Sequence, residues 1–99
     1  MEVKKCDTLE ELRKEIDKVD ERIVELIAER NAYIKQAATF KQSVEEIKSD
    51  DRIDEVLNHV RHKALNLGVS PNMVADIYRH MIDEMVETEI AELRNRGAF

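Results

Sequence analysis

A long amphipathic segment without a helix breaker constrains this chain more than any other feature. No glycine or proline occurs between Thr8 and Gln42, and apolar side chains recur there at heptad spacing. This pattern is typical of one continuous helix that packs along one face. The stripe consists of Leu9, Leu12, Ile16, Val19, Ile23, Leu26, Tyr33, Ala37 and Phe40. Thr8 and Glu11 form a capping-box pattern at the start, so the sequence predicts a first helix over residues 8–42.

Two more helices are predicted in the second half of the chain. Residues 43–48 lose the periodicity and are expected to form a loop. Acidic residues after Ser49 begin a helix over 49–67, and the N-cap Ser70 with Pro71 begins another over 70–96. Two glycines and one proline in 99 residues provide too few turns for a sheet. We therefore expect one all-α domain over residues 1–99, built from three helices.

The length of the first helix predicts a partner. About 35 helical residues extend roughly 50 Å, whereas a compact domain of this size is only about 30–35 Å across. The two shorter helices cannot cover an apolar stripe of that length, so we expect an intertwined antiparallel homodimer. The competing interpretation is a monomeric three-helix bundle with a bent first helix.

Composition excludes several classes of function. A net charge of −6 argues against a general nucleic-acid binder or membrane-surface binder. No apolar run reaches the roughly 18 residues of a membrane span, and no apolar leader follows Met1, so a cytoplasmic location is expected. His59 and His62 are close in sequence but lack an evident third ligand, so no metal site is predicted.

Charged residues on apolar faces are the candidate site residues. Arg30 interrupts the stripe of the first helix, and Lys41, eleven residues later, would lie on the same side of a continuous helix. A buried arginine needs a counter-ion, which is either a ligand or an acidic residue of another helix. Arg13 lies about 25 Å from Arg30 along one helix. Antiparallel pairing about residue 24 would bring Arg13 close to Arg30 and Lys41 of the partner, although Arg13 taken alone is more typical of a solvated surface residue.

The other two helices carry further candidates. Glu89 has apolar neighbours on its helix, so we expect either a protonated carboxyl that donates a hydrogen bond or a partner for an arginine. Arg52 occupies the first turn of its helix, where a cation is mildly unfavourable. Met81 and Met85 are most simply explained as core residues.

The ordered set of these residues resembles the all-helical chorismate mutase family. The resemblance covers essentially the whole chain and is carried by 12–17 (LRKEID), 26–30 (LIAER), Lys41, Arg52 and Thr88-Glu89. It implies a chorismate mutase type II-like homodimer with two shared active sites and no metal or other cofactor.

The resemblance also implies a role for each candidate. Arg13 of one subunit and Arg30 of the other would bind the two carboxylates of the substrate. Lys41 and Glu89 would hydrogen-bond the ether oxygen whose bond breaks, and Arg52 would support the carboxylate side. Met85 would also contact the substrate.

Two activities occur in this family. The first expectation is the Claisen rearrangement of chorismate to prephenate. The alternative is isochorismate–pyruvate lyase activity, which gives salicylate and pyruvate, because the segment from Phe40 to Ser43 resembles that branch. Ile53 stands where typical mutases have an acidic residue, and Glu89 stands where many have glutamine. A non-catalytic helical dimer, such as a regulatory module, is the alternative from another class.

Overall fold

A computed structural model of the chain describes residues 1–97 and confirms the all-helical class. Three long helices are present, α1 (Leu9–Ala37), α3 (Asp50–Leu67) and α4 (Pro71–Asn95). Two short elements lie between α1 and α3, a 3₁₀ turn (Ala38–Phe40) and the short helix α2 (Val44–Ile47). The chain forms two compact units, Met1–Ala32 and the described residues from Tyr33 onward.

The first unit begins with the predicted cap of α1. The Glu11 amide donates to Thr8 Oγ1 at 3.1 Å, and the Asp7 amide donates to Glu11 Oε2 at 3.1 Å. The first bond satisfies an N–H group that the first helical turn leaves without a backbone partner, and the second connects the residue before the cap to that turn. One turn later, a hydrogen bond from Lys18 lowers the pKa of the Glu15 carboxyl.

The apolar stripe of α1 stays largely open to solvent. No residue of α1 is buried, and Ile16, Val19 and Ile23 retain about half of their accessible surface, at 50%, 48% and 48%. Side chains of this kind normally pack against other apolar groups. The helix therefore presents an apolar face at heptad spacing that residues 1–97 leave about half exposed.

The first helix is shorter than the predicted 8–42. It ends at Ala37, and the backbone tightens into the 3₁₀ turn before becoming extended at Lys41 (φ −106°, ψ 146°). The Thr39 hydroxyl donates to the Gln36 carbonyl oxygen at 2.7 Å. The early end has a tertiary cause, because Ala38 is fully buried and its turn packs against α4.

The predicted loop over 43–48 is also corrected. Residues Val44–Ile47 form α2, and the hydroxyl of Ser43 accepts a hydrogen bond from the Glu46 amide. Ile47 packs with Ile90 and Leu93 of α4. A four-residue helix has too few apolar positions to show a 3.6-residue period, which is why periodicity missed it.

The core of the second unit lies between α3 and α4. Leu57, Ala75 and Ile82 form its buried centre. Ser49 caps α3 through the Arg52 amide, and Ser70 caps α4 through the Met73 amide. Gly68 ends α3 in the left-handed conformation (φ 75°), which reverses the chain and lets α4 pack back along α3. The second unit thus holds α4, and with it Glu89, in a fixed position.

Substitution of Gly68 is expected to cost stability through its backbone alone. No atom lies within 4 Å of a Cβ placed at Gly68, so Gly68→Ala should lower the free energy of unfolding by about 1 kcal/mol, the cost of a positive φ. This corresponds to a fall in Tm of about 4–8 °C. Gly68→Asn is the matched control, because asparagine tolerates this conformation better. Thermal unfolding that ranks alanine at or above asparagine would contradict the assignment.

Candidate active site

An ion pair between Lys41 and Glu89 is the central feature of the candidate site. Lys41 Nζ lies 2.9 Å from Glu89 Oε2 and donates a hydrogen bond to it. Glu89 is 5% exposed and is the only buried charged residue among those described, whereas the Lys41 side chain is 29% exposed. A buried carboxylate requires such a partner. The ammonium group has three N–H donors and gives one to Glu89, so two are left for a ligand.

The backbone that leads to Lys41 differs from the predicted continuous helix. The expectation that it shares a side of α1 with Arg30 assumed a continuous helix to residue 42, and that helix ends at Ala37. Instead, Lys41 follows the 3₁₀ turn, and its amide donates to the Ala38 carbonyl oxygen at 3.2 Å. Ala38 is fully buried. The turn packs against α4, which brings residue 41 to the helix that carries Glu89.

Arg52 and Met85 occupy separate positions in the same unit. Arg52 lies in the first turn of α3, where its guanidinium pairs with Glu55, and its side chain is 67% exposed. The Glu55 carboxylate thus provides a partner for the Arg52 guanidinium, which lies at a helix N-terminus where a cation is mildly unfavourable. Met85 is buried on α4, one turn before Glu89. Its burial agrees with the core interpretation.

Arg13 and Arg30 both lie on α1 in the first unit. Arg13 is exposed, and Arg30 is half-buried and interacts with other groups of the chain. Seventeen helical residues separate them, or about 25 Å. One copy of this helix therefore cannot bring both guanidinium groups to one small ligand.

Residues 1–97 were searched for groups of possible metal ligands and for helices that could span a bilayer. Among these residues, no group of three or more His, Cys, Asp or Glu side chains is arranged to hold a metal ion. None of their helices combines the length and apolar character that crossing a bilayer requires. Every buried side-chain nitrogen or oxygen in this part of the chain has a hydrogen-bond partner.

Three residues near the site were missed by sequence reasoning. Ser43 and Glu46 cap α2, and Glu55 pairs with Arg52. A signal for the first pair was present, since 43–46 (SVEE) repeats the pattern of 8–11 (TLEE). Glu55 also stands at the helical i,i+3 spacing from Arg52. The capping pattern at 43–46 does not by itself predict a helix, because no apolar period follows it.

Sequence comparison with known proteins identifies the family of this chain. Residues 12–90 match the chorismate mutase type II family, and the chain belongs to it. A chorismate mutase of Methanocaldococcus jannaschii is 31% identical over 78 residues, which cover 78% of this chain and 79% of that protein. An isochorismate pyruvate lyase of Pseudomonas aeruginosa is 29% identical over 94 residues, which cover 94% and 93%. The family resemblance expected from the sequence is thus confirmed.

Proposed function

We propose that this protein is a chorismate mutase that converts chorismate to prephenate. The observation that carries the proposal is the Lys41–Glu89 pair, in which a buried carboxyl holds an ammonium group that retains two free N–H donors. The family to which the chain belongs, and the chorismate mutase among its relatives, supply the reaction. Lys41 and Glu89 are the proposed groups at the ether oxygen of the substrate.

The chemistry suits such a site. The Claisen rearrangement needs no proton transfer and no covalent intermediate. It needs the substrate held with its reacting carbons close together, and it needs donors aimed at the ether oxygen, where negative charge develops. A fixed ammonium group supplies the second requirement. Arg13, Arg30 and Arg52 are the proposed groups for the first, because guanidinium groups bind carboxylates with defined geometry.

A homodimer is part of this proposal. The apolar stripe of α1 is about half exposed, and α1 of a second copy could cover it. When two identical helices pair antiparallel, each apolar heptad position of one helix can face an apolar heptad position of the other. With α1 over Leu9–Ala37, its centre is residue 23. Arg13 would then lie opposite residue 33 or so of the partner, within one turn of Arg30. Each active site would contain Arg13 of one subunit and Arg30 of the other.

Isochorismate–pyruvate lyase activity is the second candidate. The lyase relative aligns with more of the chain than the mutase relative does, 94 residues against 78. Ile53, directly after Arg52, offers no carboxylate to a ring hydroxyl. The lyase reaction would use the same pocket, with hydrogen transfer while the ether bond breaks.

Incubation of the purified protein with each compound separately decides between the two. Prephenate formed from chorismate is followed by the loss of chorismate absorbance, and salicylate formed from isochorismate is followed by its fluorescence. We expect prephenate formation to be the faster reaction. Turnover of isochorismate alone would assign the lyase activity. If neither compound is converted, the proposal fails and a non-catalytic helical dimer becomes the better interpretation.

A cytoplasmic location stays a prediction from the sequence.

The pH profile tests the role of Glu89. A carboxyl group can donate to the ether oxygen only when protonated, and as a carboxylate it can only accept, as it does from Lys41. Glu89→Gln supplies an amide donor at every pH, and its kcat/KM should therefore vary less with pH than that of the wild type. Glu87→Gln, an exposed change two residues away on α4, is the matched control. Identical profiles for wild type and Glu89→Gln would remove the donor role and leave Glu89 as the acceptor for Lys41.

A further inference from the structure

The backbone of Lys41 is anchored on its N-terminal side. Its amide donates to Ala38 at 3.2 Å, and Ala38 is completely buried in a 3₁₀ turn that packs against α4. Glu89 lies on that same helix. This anchor fixes where the chain enters residue 41, but it leaves the backbone that follows undetermined.

A second anchor lies on the C-terminal side. The Gln42 amide donates to Glu46 Oε2 at 2.9 Å, and the Glu46 amide donates to Ser43 Oγ at 3.3 Å. Ile47, the last residue of α2, is 6% exposed and packs with Ile90 of α4. The reciprocal cap therefore connects the residue after Lys41 to a helix that is itself docked on α4.

The Glu46 carboxylate is the link in this arrangement. An isolated four-residue helix is not stable in water, so α2 depends on its cap and on its packing. Without the carboxylate, the Gln42 amide loses its acceptor and the backbone between Lys41 and Ser43 gains freedom. A lysine has a flexible four-carbon stem, so the placement of its ammonium group depends on a fixed backbone.

We propose that Glu46, together with Ser43, is a positioning residue for Lys41. Their mutual cap holds the backbone at Gln42 so that the Lys41 ammonium group is fixed beside Glu89 with two donors directed to the substrate. Glu46 contacts neither the substrate nor the reacting atoms. The inference rests on the proposed function, since it assigns Lys41 to the ether oxygen.

Kinetics of three variants test this role. Glu46→Ala should lower kcat by about three- to tenfold, the range that loss of one cap allows. KM should change little, because Lys41 acts mainly in the transition state. Glu46→Gln keeps an acceptor for the Gln42 amide and should restore most of kcat, which separates the hydrogen bond from the charge. Glu45→Ala is the matched control, because it removes the same charge from an exposed neighbour on α2 and should retain wild-type kcat.

A purely structural role for the cap predicts a different result. Activity would then follow only the folded fraction, so kcat is normalised to the fraction folded, measured by circular dichroism at the assay temperature. A wild-type kcat per folded Glu46→Ala molecule would overturn the inference, as would an equal loss in Glu45→Ala or no rescue by Glu46→Gln. If Glu46→Ala does not fold, Ser43→Ala removes the other half of the cap and the same loss of kcat is expected. If the wild type converts neither compound, the proposed function is wrong. If the wild type is active and Glu46→Ala is unaffected, only the positioning role of Glu46 is wrong.

Discussion

Lys41→Met is expected to reduce kcat by about 10²–10³-fold, the usual effect of removing one donor from a developing negative charge. Methionine keeps an unbranched stem of similar length and removes only the charge and the donors. KM is expected to change less than kcat, because the ether oxygen gains its negative charge only as the bond breaks. Steady-state kinetics on both candidate substrates measure the effect.

The same substitution leaves Glu89 buried without its ammonium partner, so a loss of stability must be separated from a loss of chemistry. Thermal unfolding of the variant gives the folded fraction at the assay temperature. Lys48→Met is the matched control, because Lys48 is exposed and only its backbone amide takes part in the end of α2. If folded Lys41→Met retains activity within a factor of about three of the wild type, well short of the loss of a donor, Lys41 does not act at the ether oxygen.

Mixing Arg13→Ala with Arg30→Ala is expected to restore activity that neither protein has alone. In the proposed dimer, a heterodimer of these variants contains one site with both arginines and one site with neither. Random exchange makes half of the dimers heterodimers, so about one quarter of wild-type activity should return. Each parent alone should lose most of its kcat/KM, because one substrate carboxylate loses its charge-assisted partner.

A second mixture supplies the control for complementation. Arg30 and Lys41 are assigned to the same subunit in each site, so a heterodimer of Arg30→Ala and Lys41→Met has no complete site and should stay inactive. Subunit exchange is verified by native mass spectrometry of the mixed samples. Exchange without recovery in the Arg13 and Arg30 mixture would refute the shared site, and a monomeric mass for the wild type would refute the dimer.

The long helices were predictable because each has a local signal. Thr8 and Ser70 carry side-chain caps, and Gly68 takes the left-handed conformation that ends a helix. The apolar periodicity between these signals extends over many turns, so the pattern is averaged over enough residues to be reliable. The connection from Ala38 to Lys48 lacks that averaging. Its 3₁₀ turn and its four-residue helix depend on single hydrogen bonds and on packing against α4.

The site also has features that the sequence predicted and features that it did not. The apolar neighbours of Glu89 in the sequence indicated a buried carboxyl that needs a partner, and a family resemblance gave Lys41 a related role. The sequence did not indicate that these two residues bind each other, because 48 positions separate them. It also left Arg52 without a partner, although Glu55 stands one turn away on the exposed side of α3.

By itself, the sequence determined the helical class, the family and the heptad face of α1, since these follow from residue identity and periodicity along single helices. The end of α1 at Ala37 and the meeting of Lys41 with Glu89 were decided only by tertiary structure. Burial of Ala38 and Ile47 draws both ends of the connection onto α4, and the free energy of that packing outweighs the tendency of α1 to continue. The chain therefore leaves the helix four residues before Lys41 and delivers its ammonium group to the buried carboxyl.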